Sequence, residues 1–138
     1  MEFFVPLFFR FSALEGVGAD FTKLKAWQLA YAVGLEIYEL ACRFPHPHLF
    51  SLGGQLQRAA LSLPTNIAEG SGRLRSRDKA HFYAIAYSSG AELKSLLMFA
   101  RDLRRIPADR FQSLFDRLDE ACRLTHSLIE GMSRWVDP

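Results

Sequence analysis

Two cysteines are all that the chain contains, Cys42 and Cys122, and no CxxC or Cys/His ligand spacing surrounds either. That leaves no basis for a disulfide framework or a zinc site, and both read as buried thiols of a reducing compartment, which points to the cytoplasm. Charge of one sign is also lacking. Seventeen Lys and Arg stand against 15 Asp and Glu, a balance of +2, so net charge alone gives no argument for a nucleic-acid partner. No strict apolar alternation flanked by hairpin turns occurs, which removes the β classes. The chain has no Gly-rich phosphate loop, no Gly-x-Ser-x-Gly turn, no internal repeat and no low-complexity tract. Its most apolar run, Phe3 to Phe9, follows Glu2, is stopped by Arg10 and lacks a small-residue cleavage site. It is too short to span a bilayer and poor as a signal peptide, so no membrane partner is expected. Residues 1–20 are read as a loose N-terminal arm or as sequence upstream of the true start, and residues 21–138 as the folded domain.

What is present is helical period. Nearly half the residues are apolar and 23% are charged, enough for one core in a domain of 138 residues. The spacing predicts an all-α fold, an antiparallel up-down-up-down four-helix bundle joined by short connections. A first helix is expected from Phe21 to Arg43, with Leu24, Trp27, Tyr31, Leu35, Tyr38 and Cys42 on one stripe. A second stripe, Ala26, Ala30, Val33, Ile37 and Leu40, lies beside it, so the apolar face is wider than one core needs. The second helix runs from Ser51 to Glu69 and carries Pro64, which predicts a kink rather than a stop because the period resumes at Ile67. Gly70 and Gly72 are expected to end it. Ser76 should cap a third helix from Arg77 to Arg105, with Phe82, Ile85, Ala86, Ser89, Leu93, Leu96, Leu97, Ala100 and Leu103 inward. Pro107 opens the fourth, whose Phe111, Leu114, Phe115, Leu118, Cys122, Thr125, Leu128 and Met132 keep the same spacing.

The most distinctive stretch is Gln55 to Arg73, with Pro64-Thr65-Asn66-Ile67-Ala68-Glu69-Gly70 at its centre. It resembles the signature of four-helix bundle proteins encoded in intervening sequences of bacterial 23S rRNA genes. That family is related to the accessory variability determinant of diversity-generating retroelements. The likeness extends upstream through Leu24, Trp27, Gln28, Ala30, Ile37-Tyr38 and Phe44-Pro45, and downstream through Phe82 and Ala86 to Leu93. It departs at His48, where relatives often carry glutamate, and at Ser88-Ser89, where they carry Gly-Ser. The resemblance implies a ring-shaped homo-oligomer, a pentamer. For the retroelement branch it implies binding to a reverse transcriptase and its RNA, and for the intervening-sequence branch no settled activity.

Candidate residues fall into three groups. Asn66, Glu69 and Arg73, with Arg58 two turns earlier and Ser89 and Glu92 from the third helix, are placed to form a polar network where Pro64 interrupts backbone bonding. No histidine or thiol lies in that stretch to act as base or nucleophile, so a structural role is expected and no enzyme. Arg73, Arg75, Arg77 and Lys79 crowd the turn into the third helix, with only Asp78 among them. Cations at a helix N-terminus oppose its dipole, so the cluster reads as a phosphate site for RNA or DNA, together with Arg58, or equally as a solvated basic loop. Arg101, Arg104 and Arg105, at the opposite end of that helix, suit its dipole. Trp27, Tyr31, Tyr83, Tyr87 and Met98 make up an apolar surplus that points to a partner surface, with self-association as the simplest use. Such a face also suits a heterologous protein, and a reverse transcriptase docked without nucleic-acid contact is the alternative. His46 and His48 lack further ligands nearby, so neither a metal nor any other cofactor is expected.

Overall fold

Asp20 opens the described part of the chain, which in this computed structural model comprises residues 20–46 and 48–134. The expected arm over residues 1–20 lies outside the described residues except for Asp20. The Asp20 carboxylate accepts from the Thr22 amide at 3.0 Å and so caps a 3-10 turn, Phe21–Lys23. Leu24 then takes an extended conformation, ψ 123°, before α1 begins at Lys25 and runs to Cys42. The first helix is thus shorter than its apolar pattern suggested.

Of the two stripes of α1, the second lies deeper, apart from Trp27 on the first and Leu40 on the second. Ala26, Ala30, Val33, Ile37 and Ala41 are buried, whereas Tyr31, Leu35 and Tyr38 are only partly covered and Cys42 is exposed. Small residues let the helix axis approach its neighbours, so the stripe of alanines lies deepest. Trp27 belongs to the same core, its ring stacked on Tyr31 with centroids 4.8 Å apart. Cys42 is a correction to the sequence reading: it lies on the surface and accepts from Gln57 Nε2 at 3.1 Å.

A single π-helical turn, Leu49–Gly53, leads into α2, Gly54–Gly72. The helix continues through Pro64, with Leu56, Ala59, Ala60, Leu63 and Ile67 buried as the period requires. Pro64 has no N–H to give to the Ala60 carbonyl. At that carbonyl α1 presents Gly34, where a β carbon would stand only 2.7 Å from the Ala60 oxygen. One Cα hydrogen of Gly34 therefore points at an acceptor that lost its helical donor, a contact of the weak C–H···O kind.

Gly70 does not end α2, contrary to expectation. It lies buried within the helix, and a β carbon there would meet the Tyr83 ring at 2.7 Å. Its role is the close approach of α3, Ser76–Asp102. Tyr83 fills that contact and is buried, while Ile85 and Leu103, expected inward, are exposed. The core stripe of α3 is Tyr83, Ala86, Ser89, Gly90, Leu93, Leu97 and Ala100.

After Leu103 the chain closes a Schellman turn: the Arg105 amide donates to the Ala100 carbonyl at 2.8 Å and the Arg104 amide to the Arg101 carbonyl at 2.9 Å. Arg104 holds φ 57° there, the left-handed conformation that costs a non-glycine residue about 1–2 kcal/mol. Pro107 caps α4, Ala108–Ser133, with its fixed φ of −60°. Phe111, Leu114, Leu118, Cys122 and Thr125 are buried on α4 as expected.

The four helices pack as a bundle in which α1 meets α2 and α4, and α3 meets the same two. Contacts between α3 and α4 descend one helix as they ascend the other: Tyr87 with His126, Lys94 with Asp119, Arg101 over Phe111. Glu36 of α1 pairs with both Arg110 and Arg117 of α4, the former at 2.9 Å. No helix among the described residues is long and apolar enough to cross a membrane.

Candidate nucleic-acid interface at the turn between α2 and α3

Two extended residues set the geometry of the turn. Arg73 (φ −75°, ψ 146°) follows α2 and donates its amide to the Gly70 carbonyl at 3.2 Å, and Arg75 (φ −94°, ψ 137°) precedes α3. Ser76 is the first helical residue rather than the cap, a correction to the sequence reading. A hydroxyl on the first helical residue is past the position from which a cap accepts the following amides. Arg75 supplies no side-chain cap either, so the first amides of α3 have no capping side chain.

The four cations of the turn divide into two pairs. Arg73 is held from two sides: it forms an ion pair with Glu69, and its guanidinium lies 4.5 Å from the centre of the Phe82 ring. Lys79 reaches back to α2, donating to the Ser71 carbonyl at 2.7 Å, where a cation suits the negative end of that helix. Arg75 and Arg77 are exposed and make no ion pair among the described residues. Arg58 is exposed as well. It sits some four turns before Arg73, roughly 20 Å along the helix at ~1.5 Å per residue, so the fold does not bring it to the turn.

The polar network takes a different membership from the one expected. Asn66 Nδ2 donates to the Ser62 carbonyl at 2.8 Å and to the Ser62 hydroxyl at 3.0 Å. The Ser62 hydroxyl lies 2.7 Å from that of Ser89, which donates onward to the Ile85 carbonyl at 3.1 Å. Asn66 and Ser89 are joined, then, but through Ser62, a residue the sequence reading missed although its spacing from Asn66 is that of helical neighbours. Glu69 turns outward to Arg73, and Glu92 is exposed without a hydrogen bond among the described residues.

A second polar group lies between α3 and α4. Lys94 Nζ donates to Asp119 Oδ1 at 2.8 Å, and this bond holds the Asp119 carboxyl below the usual carboxylate range and raises the Lys94 ammonium. Burial pushes the neighbouring Cys122 thiol up, so it stays protonated and packs as a small apolar group. Among the described residues no group of three His, Cys, Asp or Glu is placed to hold a metal ion.

Of the residues expected to form a partner surface, Trp27 and Tyr83 are buried inside the chain's own core. Tyr31 is half-buried, whereas Tyr87 and Met98 are exposed. The largest apolar exposure on α3 lies elsewhere: Ile85, Phe99 and Leu103, with half-buried Leu96, recur at helical period on one outward face, and Phe99 is 61% exposed.

These features define a helical bundle with one basic end turn, an outward apolar helix face and a part-buried polar seam. A family model, 23S rRNA-intervening sequence protein, matches residues 22–127, and the chain belongs to that family. No individual curated protein matches it.

Proposed function

We propose that this protein is a self-assembling, non-enzymatic helical bundle of the cytoplasm that meets nucleic-acid phosphates at the turn between α2 and α3. The observation that carries the reading is the pair Arg75 and Arg77, exposed, without an ion pair among the described residues, and set where the dipole of α3 disfavours cations. A phosphate there gains both guanidinium groups and the uncapped amides. An exposed thiol at Cys42 suits the reducing compartment.

Salt dependence tests this directly. Because Arg73 and Lys79 already have partners, two phosphate contacts per chain are expected rather than four. The double variant Arg75→Gln, Arg77→Gln should flatten the slope of log affinity against log salt by about 1.4 on single strands and about 1.8 on duplex. Absence of wild-type binding to any nucleic acid at low salt, or an unchanged slope in the variant, removes the phosphate site.

Self-assembly draws its support from the outward face of α3, where Ile85, Leu96, Phe99 and Leu103 leave apolar area uncovered in a single chain. Light scattering should give a mass several times 15.7 kDa, falling toward one chain in the Phe99→Glu, Leu103→Glu variant. A wild-type monomer contradicts the assembly. A monomer that captures a reverse transcriptase through this face would favour the protein-docking alternative.

A further inference from the structure

Beside the basic turn, the outer face of α2 carries a shallow open depression of about 530 Å³ lined by Thr65, Ala68, Glu69, Gly72 and Arg73. Resting on the nucleic-acid reading above, we propose that this depression receives one unpaired nucleobase of a single strand whose phosphates meet Arg75 and Arg77.

Two features of the lining and one of the turn beside it support that ligand. First, Arg73 is a fixed plane. Its Nη2 is tied to Glu69 and Phe82 lies under the guanidinium, yet the side chain stays 45% exposed, so there is room for a base to stack on it. The contacts that withdraw Arg73 from phosphate binding are the ones that orient it beforehand. Second, Glu69 uses Oε1 for Arg73, and its Oε2 and the Thr65 hydroxyl have no hydrogen bond among the described residues. A carboxylate oxygen accepts from an exocyclic amino group, as on cytosine, and disfavours the carbonyl-flanked edge of uracil. Third, Leu74 follows Arg73 directly and is 97% exposed, the most exposed large apolar side chain among the described residues. No packing within the chain accounts for it, and an apolar side chain between arginines fits against a base face. A duplex keeps its bases stacked and their pairing edges occupied, so it offers neither contact.

The test measures binding of short oligocytidine, oligouridine and a duplex of equal length by anisotropy across salt concentrations. Wild type should prefer oligocytidine to oligouridine by about fivefold. Arg73→Lys keeps the charge but not the plane, so it should preserve the salt slope while weakening both oligocytidine and oligouridine relative to the duplex. Leu74→Ser, at a position the fold does not use, should weaken single-strand binding by about tenfold and leave the duplex unchanged. Phosphate binding that responds to Arg75→Gln, Arg77→Gln, without base preference or with a preference for duplex, overturns this inference and leaves the phosphate reading intact. Absence of all binding overturns both.

Discussion

Gly34→Ala should destabilise the fold by about 3 kcal/mol, although alanine is the better helix former. The β carbon it adds would stand 2.7 Å from the Ala60 oxygen and within 4 Å of the Pro64 ring. Both obstacles belong to a buried helix whose path is fixed by Leu56, Leu63 and Ile67, so no flexible side-chain end can move aside. Relief requires α1 to shift away from α2, which opens voids around Val33 and Ile37, and it removes the Cα hydrogen directed at the Ala60 carbonyl. Gly72→Ala is the control, because a β carbon there meets nothing within 4 Å. That change should be neutral or stabilise by a few tenths of a kcal/mol up to about 1 kcal/mol. Urea unfolding of the two variants and wild type at one protein concentration gives the comparison, with midpoints read at constant slope. Equal stability of the two variants would mean that α1 does not press on α2 at Ala60.

The contrast between these glycines shows where the sequence was readable. Long apolar periods located all four helices, and on α4 Phe111, Leu114, Leu118, Cys122 and Thr125 are buried as expected, whereas Phe115, Leu128 and Met132 are only partly covered. On α1 two stripes compete, and a reading weighted toward large side chains ranks Leu35 and Tyr38 above Ala30 and Ala41. The decisive quantity is how closely the axes approach, which depends on Gly34 and on its partner Ala60 in another helix. On α3 the choice between Tyr83 and Ile85 was set by Gly70, whose missing β carbon makes space for the ring. Both glycines were visible in the sequence, but not the atoms they face.

The basic turn was legible as a cluster and not as individual roles. That Arg73, Arg75, Arg77 and Lys79 fall together follows from their spacing. That Arg73 stacks on Phe82 and Lys79 caps Ser71 depends on α3 folding back along α2. The polar seam is similar: Asn66 and Ser89 were visible as candidates, and Ser62, which joins them, gains importance only through its place between two helices.

Gly90 and Cys122 should show strong coupling in a double-mutant cycle. A β carbon at Gly90 would lie 2.4 Å from the Cys122 sulfur but 3.9 Å from the Cys122 β carbon, an ordinary contact. Gly90→Ala alone should therefore cost about 2 kcal/mol, since the sulfur is buried and Leu63 occupies space nearby. Cys122→Ala alone deletes one buried atom and should cost about 1 kcal/mol. In the double variant the added methyl group takes the space left by the sulfur, so its stability should return to near wild type, a coupling of about 2–3 kcal/mol. The cysteine also contributes a pH arm. Burial raises its folded pKa above the unfolded value, so the contribution is complete below the ordinary thiol range and is lost as pH rises from there through the raised folded value. Both variants without the thiol should lose that part of the alkaline decline, while Lys94, also raised, keeps its own further decline at higher pH. Additive costs in the cycle would show that the sulfur is not what keeps residue 90 a glycine, and an alkaline decline identical in wild type and Cys122→Ala would place its cause elsewhere.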